Sequence, residues 1–233
     1  GYSPCYWHPC CLKEASPEEE SEMREISFLR QVRSVHIIGA GLNQDRPAHR
    51  AFHDMRGRGY RMVPVHPRDA GSTIEGFPIV PHPWASEEPE MFVIFLSPER
   101  TLGLLRKWLL AGRAIPYIWL QPGAESDDVI QFLGEARIPH SSGLCWVVTS
   151  LQNDISCDNP LPRLPWVLQT TSTAGDKCSV WRYFPPGSDN SLDGPLEWVG
   201  DIIDLETSNE QIPRYVRSLM EDGETLVDTA QRL

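Results

Sequence analysis

The chain of 233 residues is long enough for one domain with additions or for two small domains. Hydrophobic residues make up 40% of it, which is sufficient for a packed core. It carries 21 Lys and Arg against 32 Asp and Glu, a formal net charge of −11. This charge argues against autonomous nucleic-acid binding, which needs a basic face to neutralise phosphates. No apolar run approaches the roughly 20 residues of a membrane-spanning helix.

Residues 1–29 are predicted to form an irregular N-terminal arm. Within it, Ser16-Pro17 followed by three glutamates could begin a helix, because Pro suits a first turn and acids complement the helix dipole. The six cysteines of the chain are too few for a disulfide scaffold of this size. A reducing compartment is therefore the default expectation.

A possible metal site lies in the same arm. Cys5, His8 and Cys10 carry the side chains that zinc prefers. The spacing is poor, because the adjacent Cys10 and Cys11 cannot easily reach one tetrahedral ion together. We therefore expect an ordered or docked arm without metal, and the zinc site stays as the alternative.

Strand and helix signals alternate regularly over residues 30–150. Short apolar runs bounded by Gly or Pro indicate buried strands, and longer stretches between them indicate helices. Strands are predicted at 34–38, 60–65, 77–80, 91–96, 115–120 and 138–142, and helices at 47–58, 99–111 and 126–136. Helices of these lengths suit right-handed crossovers between parallel strands. The predicted fold class is α/β, with a Rossmann-like doubly wound parallel sheet.

Residues 151–233 are predicted to form a C-terminal extension. A hairpin is indicated over 166–184, and 196–205 is ambiguous between strand and helix. Helical segments are indicated at 209–220 and 226–233. These elements are too few and too short to predict an independently folded domain. We therefore expect the extension to pack on the core or on a partner.

The loop after the first strand, Gly39-Ala40-Gly41, precedes a predicted helix. Glycines there allow close backbone approach to a phosphate, and a helix N-terminus attracts anions. The third glycine of a dinucleotide fingerprint is replaced by Gln44, and His66 stands where an acid would hold a ribose. A standard NAD enzyme is therefore disfavoured. A tight turn without any ligand is the plainer alternative.

Several motifs recur in the order of one known family over about residues 32–148. That family's first loop reads Gly-Ala-Ser, then Asn and Arg-Pro-Ser-Tyr. Its second strand ends Val-Pro-Val-Asn-Pro, a later strand ends in Trp, an apolar residue, Gln and Gly, and its final loop holds a Cys. The matching residues here are Gly39-Ala40-Gly41, Asn43, Arg46-Pro47, Val63-Pro64-Val65-His66-Pro67, Trp119-Leu120-Gln121-Pro122-Gly123 and Cys145. The chain thus resembles the CoA-binding domain family, stand-alone relatives of the N-terminal domain of the succinyl-CoA synthetase α subunit.

The resemblance implies a module that binds coenzyme A or a related nucleotide. The diphosphate would lie over the glycine turn and the helix start, with Arg46 as its charged partner. The residues after the second strand would border the adenosine. The cofactor-binding residues so implied are Gly39, Ala40, Gly41, Asn43, Arg46, Pro47, Val65, His66, Pro67 and Gln121.

Four ligand-side positions depart from the family pattern. Gly41 and Ala48 each replace a hydroxyl residue, and His66 replaces a carboxamide. An apolar segment, Trp146-Val147-Val148, follows Cys145 in place of a polar one. These departures support an alternative function, in which a degenerate CoA-binding-like fold is the scaffold of an accessory subunit in a large complex.

No catalytic constellation is evident, so we expect no enzyme activity. His49 and His53 share one helix face but lack a third metal ligand, and a solvated face is the simpler interpretation. Cys145 follows the last strand of the sheet, where such folds bind ligands, and only His140 is a nearby base in the sequence. A structural thiol is the favoured interpretation of Cys145.

The two extensions bear on partners and location. Other protein subunits could be contacted through residues 1–29 and 151–233. A chain that begins at Gly1 and carries both extensions suits an organellar assembly. We therefore expect the mitochondrial matrix, with the cytoplasm as the alternative.

Overall fold

The computed structural model describes residues 16–85 and 89–233. The possible zinc ligands Cys5, His8 and Cys10 lie outside the described residues. Among those that are described, no group of three or more His, Cys, Asp or Glu side chains could hold a metal ion. Within the same ranges, no helix has both the length and the apolar character that a membrane span requires.

A helix, α1, occupies Pro17–Gln31, where the sequence predicted an irregular arm. Ser16 Oγ accepts from the Glu19 N–H (3.2 Å), and the Glu19 carboxylate accepts from the Ser16 N–H (2.7 Å). This capping box satisfies two donors at the helix start. At the other end Leu29 is fully buried, and Phe28 stacks on Tyr117 with ring centroids 4.2 Å apart. The helix therefore reaches into the core, and the predicted boundary at residue 29 falls inside it.

The central part of the chain forms the predicted doubly wound parallel sheet. In chain order its elements are β1 Ser34–Ile38, α2 Pro47–Asp54, β2 Arg61–Val65, β3 Thr73–Ile74, β4 Phe77–Pro78, β5 Met91–Ile94, α3 Pro98–Leu110, β6 Tyr117–Leu120, α4 Asp127–Glu135, β7 His140–Ser141 and α5 Trp146–Gln152. Five parallel strands lie in the order β2-β1-β5-β6-β7. A small antiparallel hairpin, β3–β4, accompanies them.

Helices cover both faces of this sheet. Leu29 of α1, Phe52 of α2 and Trp146 of α5 are buried in the cluster on one face. Leu105 of α3 and Val129 of α4 are buried in the cluster on the other. Because both faces are covered, β1 and β2 are buried at every position, which explains why most of their residues are apolar. Helix α5 was not predicted, since its apolar residues Trp146-Val147-Val148 were interpreted only as a departure from the family pattern.

The extension forms a second, antiparallel sheet with helices on one side. Its strands are β8 Trp166–Thr171, β9 Ser179–Phe184 and β10 Leu196–Asp201, in the order β10-β8-β9. Its helices are α6 Ile202–Thr207, α7 Gln211–Ser218 and α8 Leu226–Arg232. The predicted hairpin is therefore present. The ambiguous segment 196–205 is a strand followed by a helix, because the Asp201 carboxylate accepts from the Ile203 and Asp204 N–H groups and caps α6.

The extension packs on the core of the same chain, one of the two placements that the sequence left open. Asp189 Oδ1 accepts from Thr73 Oγ1 (3.0 Å) and from the Gly76 N–H (2.8 Å), both in the β3–β4 hairpin. The Arg163 guanidinium lies 3.8 Å from the Phe77 ring centroid. Gly76 has φ +72°, and a Cβ there would collide with the backbone of Gly187. The hairpin turn therefore fits against the extension only as glycine.

One buried titratable group, His36, lies in the middle of the interior strand β1. It is fully buried, and its ring centroid lies 5.9 Å from that of Phe92. Among the described residues, neither ring nitrogen has a hydrogen-bond partner. Desolvation lowers the pKa of His36 to about 3. The imidazole is therefore neutral in the folded protein at neutral pH.

We expect His36 to make folding acid-sensitive. Because its pKa is lower in the folded than in the unfolded chain, its contribution is fully present above pH about 6.5 and is lost as the pH falls towards 3. In that window the free energy of unfolding should fall by about 1.4 kcal/mol per pH unit from this group. Denaturant titrations over a pH series should show this slope in the wild type and lose it in His36→Phe.

His53→Gln is the control, because that side chain is 71% exposed. It should keep the slope of the wild type. The same acid dependence in the wild type and in His36→Phe would contradict the prediction.

Candidate functional site

The order of the strands creates a crevice at the carboxyl ends of the strands. From β1 the chain first moves outward to β2, and later returns to β5 on the opposite side of β1. The loops that follow β1 and β5 therefore lead to opposite faces. Open α/β sheets bind ligands at such a switch point, beyond the carboxyl ends of the strands. The turn Gly39–Gly41 lies there.

Backbone contacts to both neighbouring strands hold this turn. The Gly39 N–H donates to Val65 O at the end of β2 (2.9 Å), and the Phe95 N–H after β5 donates to Ile38 O (3.0 Å). Gly39 has φ +99°, and a Cβ there would lie 3.3 Å from Leu96 Cδ2. Glycine is therefore required by both conformation and space. The predicted neighbours Gly39 and Val65 are brought together.

A carboxylate that the sequence analysis missed, Asp69, lies against this turn. The Leu42 N–H donates to Asp69 Oδ2 (2.8 Å), and His66 Nδ1 is 3.3 Å from the same oxygen. A Cβ on Gly41 would collide with Asp69 and lie 2.9 Å from the His66 ring. Gly41, which departs from the family pattern, thus makes room for the two side chains. Both are about three-quarters buried.

Asp69 was missed because the acid was sought directly at the end of the second strand. His66 stands at that point, and Asp69 comes three residues later. A turn over residues 67–69 returns the chain towards β1. The usable signal was the Pro67-Arg68-Asp69 run, since Pro followed by Asp is typical of a tight turn.

The paired histidines of α2 have separate roles. His49 Nδ1 donates to the Gly41 carbonyl oxygen (2.8 Å) and so supports the turn. His53 Nδ1 instead lies 3.9 Å from Glu75 Oε1 of the β3–β4 hairpin. The pair is therefore not directed at one ion.

Arg46 and Pro47 begin α2 next to the turn, and both are exposed. Arg46 caps the helix through its backbone, whose carbonyl accepts from the His49 N–H (3.1 Å). Its side chain makes no cap hydrogen bond in the described part of the chain, and the first turn carries no acid. Asn43 Oδ1 accepts from the Asp45 N–H (3.0 Å), which orders the loop between turn and helix. An anion near this helix start would be attracted by the positive end of the helix dipole and by the Arg46 guanidinium.

Gln121 lies at the carboxyl end of β6, one strand beyond β5. Its backbone N–H donates to Ile94 O (3.2 Å), and the residue is only 3% exposed. Within the described residues, its Nε2 has no hydrogen-bond partner. An unpaired buried donor costs free energy, so it marks a position where a ligand acceptor would be stabilised. Pro67, by contrast, is exposed beside His66.

A family comparison matches the same region. The sequence model described as CoA binding domain matches residues 33–150, slightly more than half of the chain. The chain belongs to the CoA-binding domain family. The resemblance expected from the motifs is therefore confirmed, over nearly the same residues.

Solved structures of similar proteins match half of this chain or more. A protein from Thermus thermophilus is 28% identical, with a TM-score of 0.51; the match covers 56% of this chain and 97% of that one. A conserved hypothetical protein from Pyrococcus furiosus is 26% identical, with a TM-score of 0.45 and coverage of 50% and 97%. A hypothetical protein from Pyrococcus horikoshii is 19% identical, with a TM-score of 0.49 and coverage of 60% and 98%. The Thermus protein supports the family fold for the part of this chain that it matches.

A separate cavity of about 50 Å³ lies between the sheet and the extension. Its lining includes Arg61 and Met62 at the start of β2, and Trp166 and Gly200 of the extension. Ligand pockets measure roughly 300 Å³ or more, so this space is too small for a nucleotide. The glycine turn, at the opposite end of β2, is the better candidate site.

We expect Gly41→Ala to destabilise the protein by about 1–2 kcal/mol, because its Cβ would displace Asp69 and His66. The cost should be smaller in an Asp69→Ala background, since one of the two clashing side chains is then removed. Denaturant titration of the single and double variants measures both effects.

The matched control is Gly134→Ala. That glycine lies in α4, and a Cβ there would meet no described atom within 4 Å. This variant should be neutral or slightly stabilised. Equal stabilities for Gly41→Ala and Gly134→Ala would contradict the packing at the turn.

Proposed function

We propose that the chain is a non-catalytic module that binds coenzyme A or a related nucleotide. The observation that carries this proposal is the glycine turn at the switch point of a sheet that belongs to the CoA-binding domain family. The family supports a CoA-type ligand in general. The assignment of individual residues to parts of that ligand is our inference.

The chemistry of the turn suits the phosphate end of such a ligand. The start of α2 favours negative charge, and Arg46 supplies a mobile guanidinium beside it. Val65, His66 and Pro67 form the wall next to the turn, where the adenosine would lie. The Gln121 carboxamide offers its unpaired Nε2 to an acceptor of the bound molecule.

Support for the absence of chemistry comes from where titratable groups are perturbed. Catalytic groups are usually tuned to unusual pKa values within a site. Here burial lowers the pKa of His36 and His82 and raises that of Cys157, Tyr60 and Tyr117. None of these residues belongs to the glycine turn or to the start of α2. His140, the base nearest to Cys145 in the sequence, donates its Nδ1–H to Ile138 O (2.9 Å).

Titration calorimetry with CoA should give saturable heat for the wild type. Arg46→Ala should weaken binding by about tenfold, because a charge-assisted contact to the diphosphate is lost. Arg50→Ala is the control, since Arg50 is equally exposed one turn further along α2. It should bind as the wild type does.

An acyl-CoA incubated with the protein should bind and be recovered intact, with no release of free thiol. No heat with CoA, acyl-CoA or NAD(P) would reject the binding module. Thioester cleavage that is lost in Cys145→Ser would instead reject the non-catalytic part of the proposal.

A second candidate function is that of an accessory subunit, and α5 favours it. Val148 and Leu151 are spaced i, i+3 in α5 and are 47% and 44% exposed, and Leu144, just before the helix, is 46% exposed. Neighbouring exposed apolar side chains are typical of a contact surface. On this proposal the chain acts in a large assembly, in the mitochondrial matrix or alternatively in the cytoplasm. The contact would be made through the domain itself as well as through its extensions.

Sedimentation of the tagged chain in an extract of its own cells tests this candidate. The wild type should sediment as a large assembly, and Val148→Lys combined with Leu151→Lys as the free chain. Leu110→Lys is the control, because that leucine is 88% exposed at the end of α3. It should sediment with the wild type. A wild-type chain that sediments alone would reject the accessory-subunit role.

A further inference from the structure

Asp69 lies between the glycine turn and His66 in the candidate site. Its Oδ2 accepts from the Leu42 N–H of the glycine turn, and it lies 3.3 Å from His66 Nδ1. In the proposed function the start of α2, beside the turn, holds the diphosphate, and His66 borders the adenosine. In every adenosine nucleotide the ribose lies between the adenine and the diphosphate. Asp69 therefore lies where the ribose would be.

We propose that Asp69 determines specificity at this site, favouring an ADP group with free ribose hydroxyls over one that is phosphorylated on the ribose. The ligand class preferred is a dephospho-CoA-type nucleotide. CoA itself carries a phosphate on the ribose 3′-oxygen and is the disfavoured member of the pair. This inference rests on the proposed nucleotide site and goes beyond it by naming which ribose the site accepts.

Hydrogen bonding supports the preference for free hydroxyls. An ionised carboxylate is an acceptor only, with about four lone-pair sites on its two oxygens. Asp69 can therefore keep the Leu42 N–H and still accept from a ribose hydroxyl. An acid near the end of the second strand binds a ribose in this way in dinucleotide-binding folds.

Charge supports the exclusion of a ribose phosphate. Two like charges a few ångströms apart repel strongly where protein partly excludes water. The Asp69 side chain is 27% exposed and the adjacent His66 side chain 22% exposed, so solvent screens the pair only in part. Asp69 is also held in place by the Leu42 N–H and by the space that Gly41 leaves. It is not free to swing away as an exposed acid would be.

The experiment compares two ligands that differ only in the 3′-phosphate, CoA and dephospho-CoA. Titration calorimetry is done with the wild type, Asp69→Asn, Asp69→Ala and Asp45→Asn. Asp45 is the matched control, because it is an exposed acid of the same loop that joins the local hydrogen bonds through its backbone N–H. Circular dichroism and thermal unfolding check that each variant is folded.

We expect the wild type to bind dephospho-CoA about tenfold more tightly than CoA. Asp69→Asn and Asp69→Ala should lose most of this ratio, chiefly by binding CoA more tightly. Asp45→Asn should keep it. The wild-type ratio needs no variant, so it tests the inference even where a substitution unfolds the protein.

Two failures are distinguishable. Equal wild-type affinities for the two ligands, or a ratio that persists in Asp69→Asn, would overturn the role of Asp69 while leaving the nucleotide-binding module in place. Absence of binding of either ligand to the wild type and to both Asp69 variants would reject the nucleotide-binding module, and with it this inference.

Discussion

The direction in which the chain leaves β1 is the constraint on which the rest of this structure depends. β1 pairs in parallel with β2 on one side and with β5 on the other, so the crossovers on its two sides lead to opposite faces. Only at the carboxyl end of β1 do the loops separate and leave backbone groups accessible. The glycine turn, the start of α2 and the segment after β2 meet there for that reason. The buried faces of β1 in turn require helices on both sides.

The region of the turn attracts an anion and also carries a negative charge that limits where the anion can lie. The adjoining start of α2 and Arg46 favour an anion, whereas the Asp69 carboxylate accepts from the Leu42 N–H and places a negative charge against the turn. Gly41 is the residue that permits this, because any larger residue would displace the carboxylate. What first looked like the loss of a family hydroxyl is thus coupled to the presence of an acid. The two positions are best understood as one change in the site.

The sequence predicted the sheet well because its signals are local. The runs at 34–38 and 60–65 are mostly apolar and are followed by Gly39 and, after His66, by Pro67, so both are predicted within a residue of β1 and β2. Helix α1 was underestimated, because a capping box and a few apolar positions near its C-terminus gave only a faint period. A turn at Asp69 is signalled by the Pro67-Arg68-Asp69 run, but its contact with Leu42 could not be predicted, since that contact bridges 27 positions and depends on how the turn folds back. The contacts between the β3–β4 hairpin and the extension are of the same long-range kind.

The contacts between the β3–β4 hairpin and the extension affect one wall of the candidate site. The Thermus thermophilus relative is matched over 97% of its own length by 56% of this chain, so it has the domain without a counterpart for the rest. In this chain Arg163 covers the face of Phe77, and Asp189 takes the hydrogen bonds of Thr73 and Gly76. The β3–β4 hairpin follows β2 and the Asp69 turn directly along the chain. A shift of the extension would therefore displace the segment that carries Asp69. The packing of the extension on the hairpin thus helps to fix the position of one wall of the crevice.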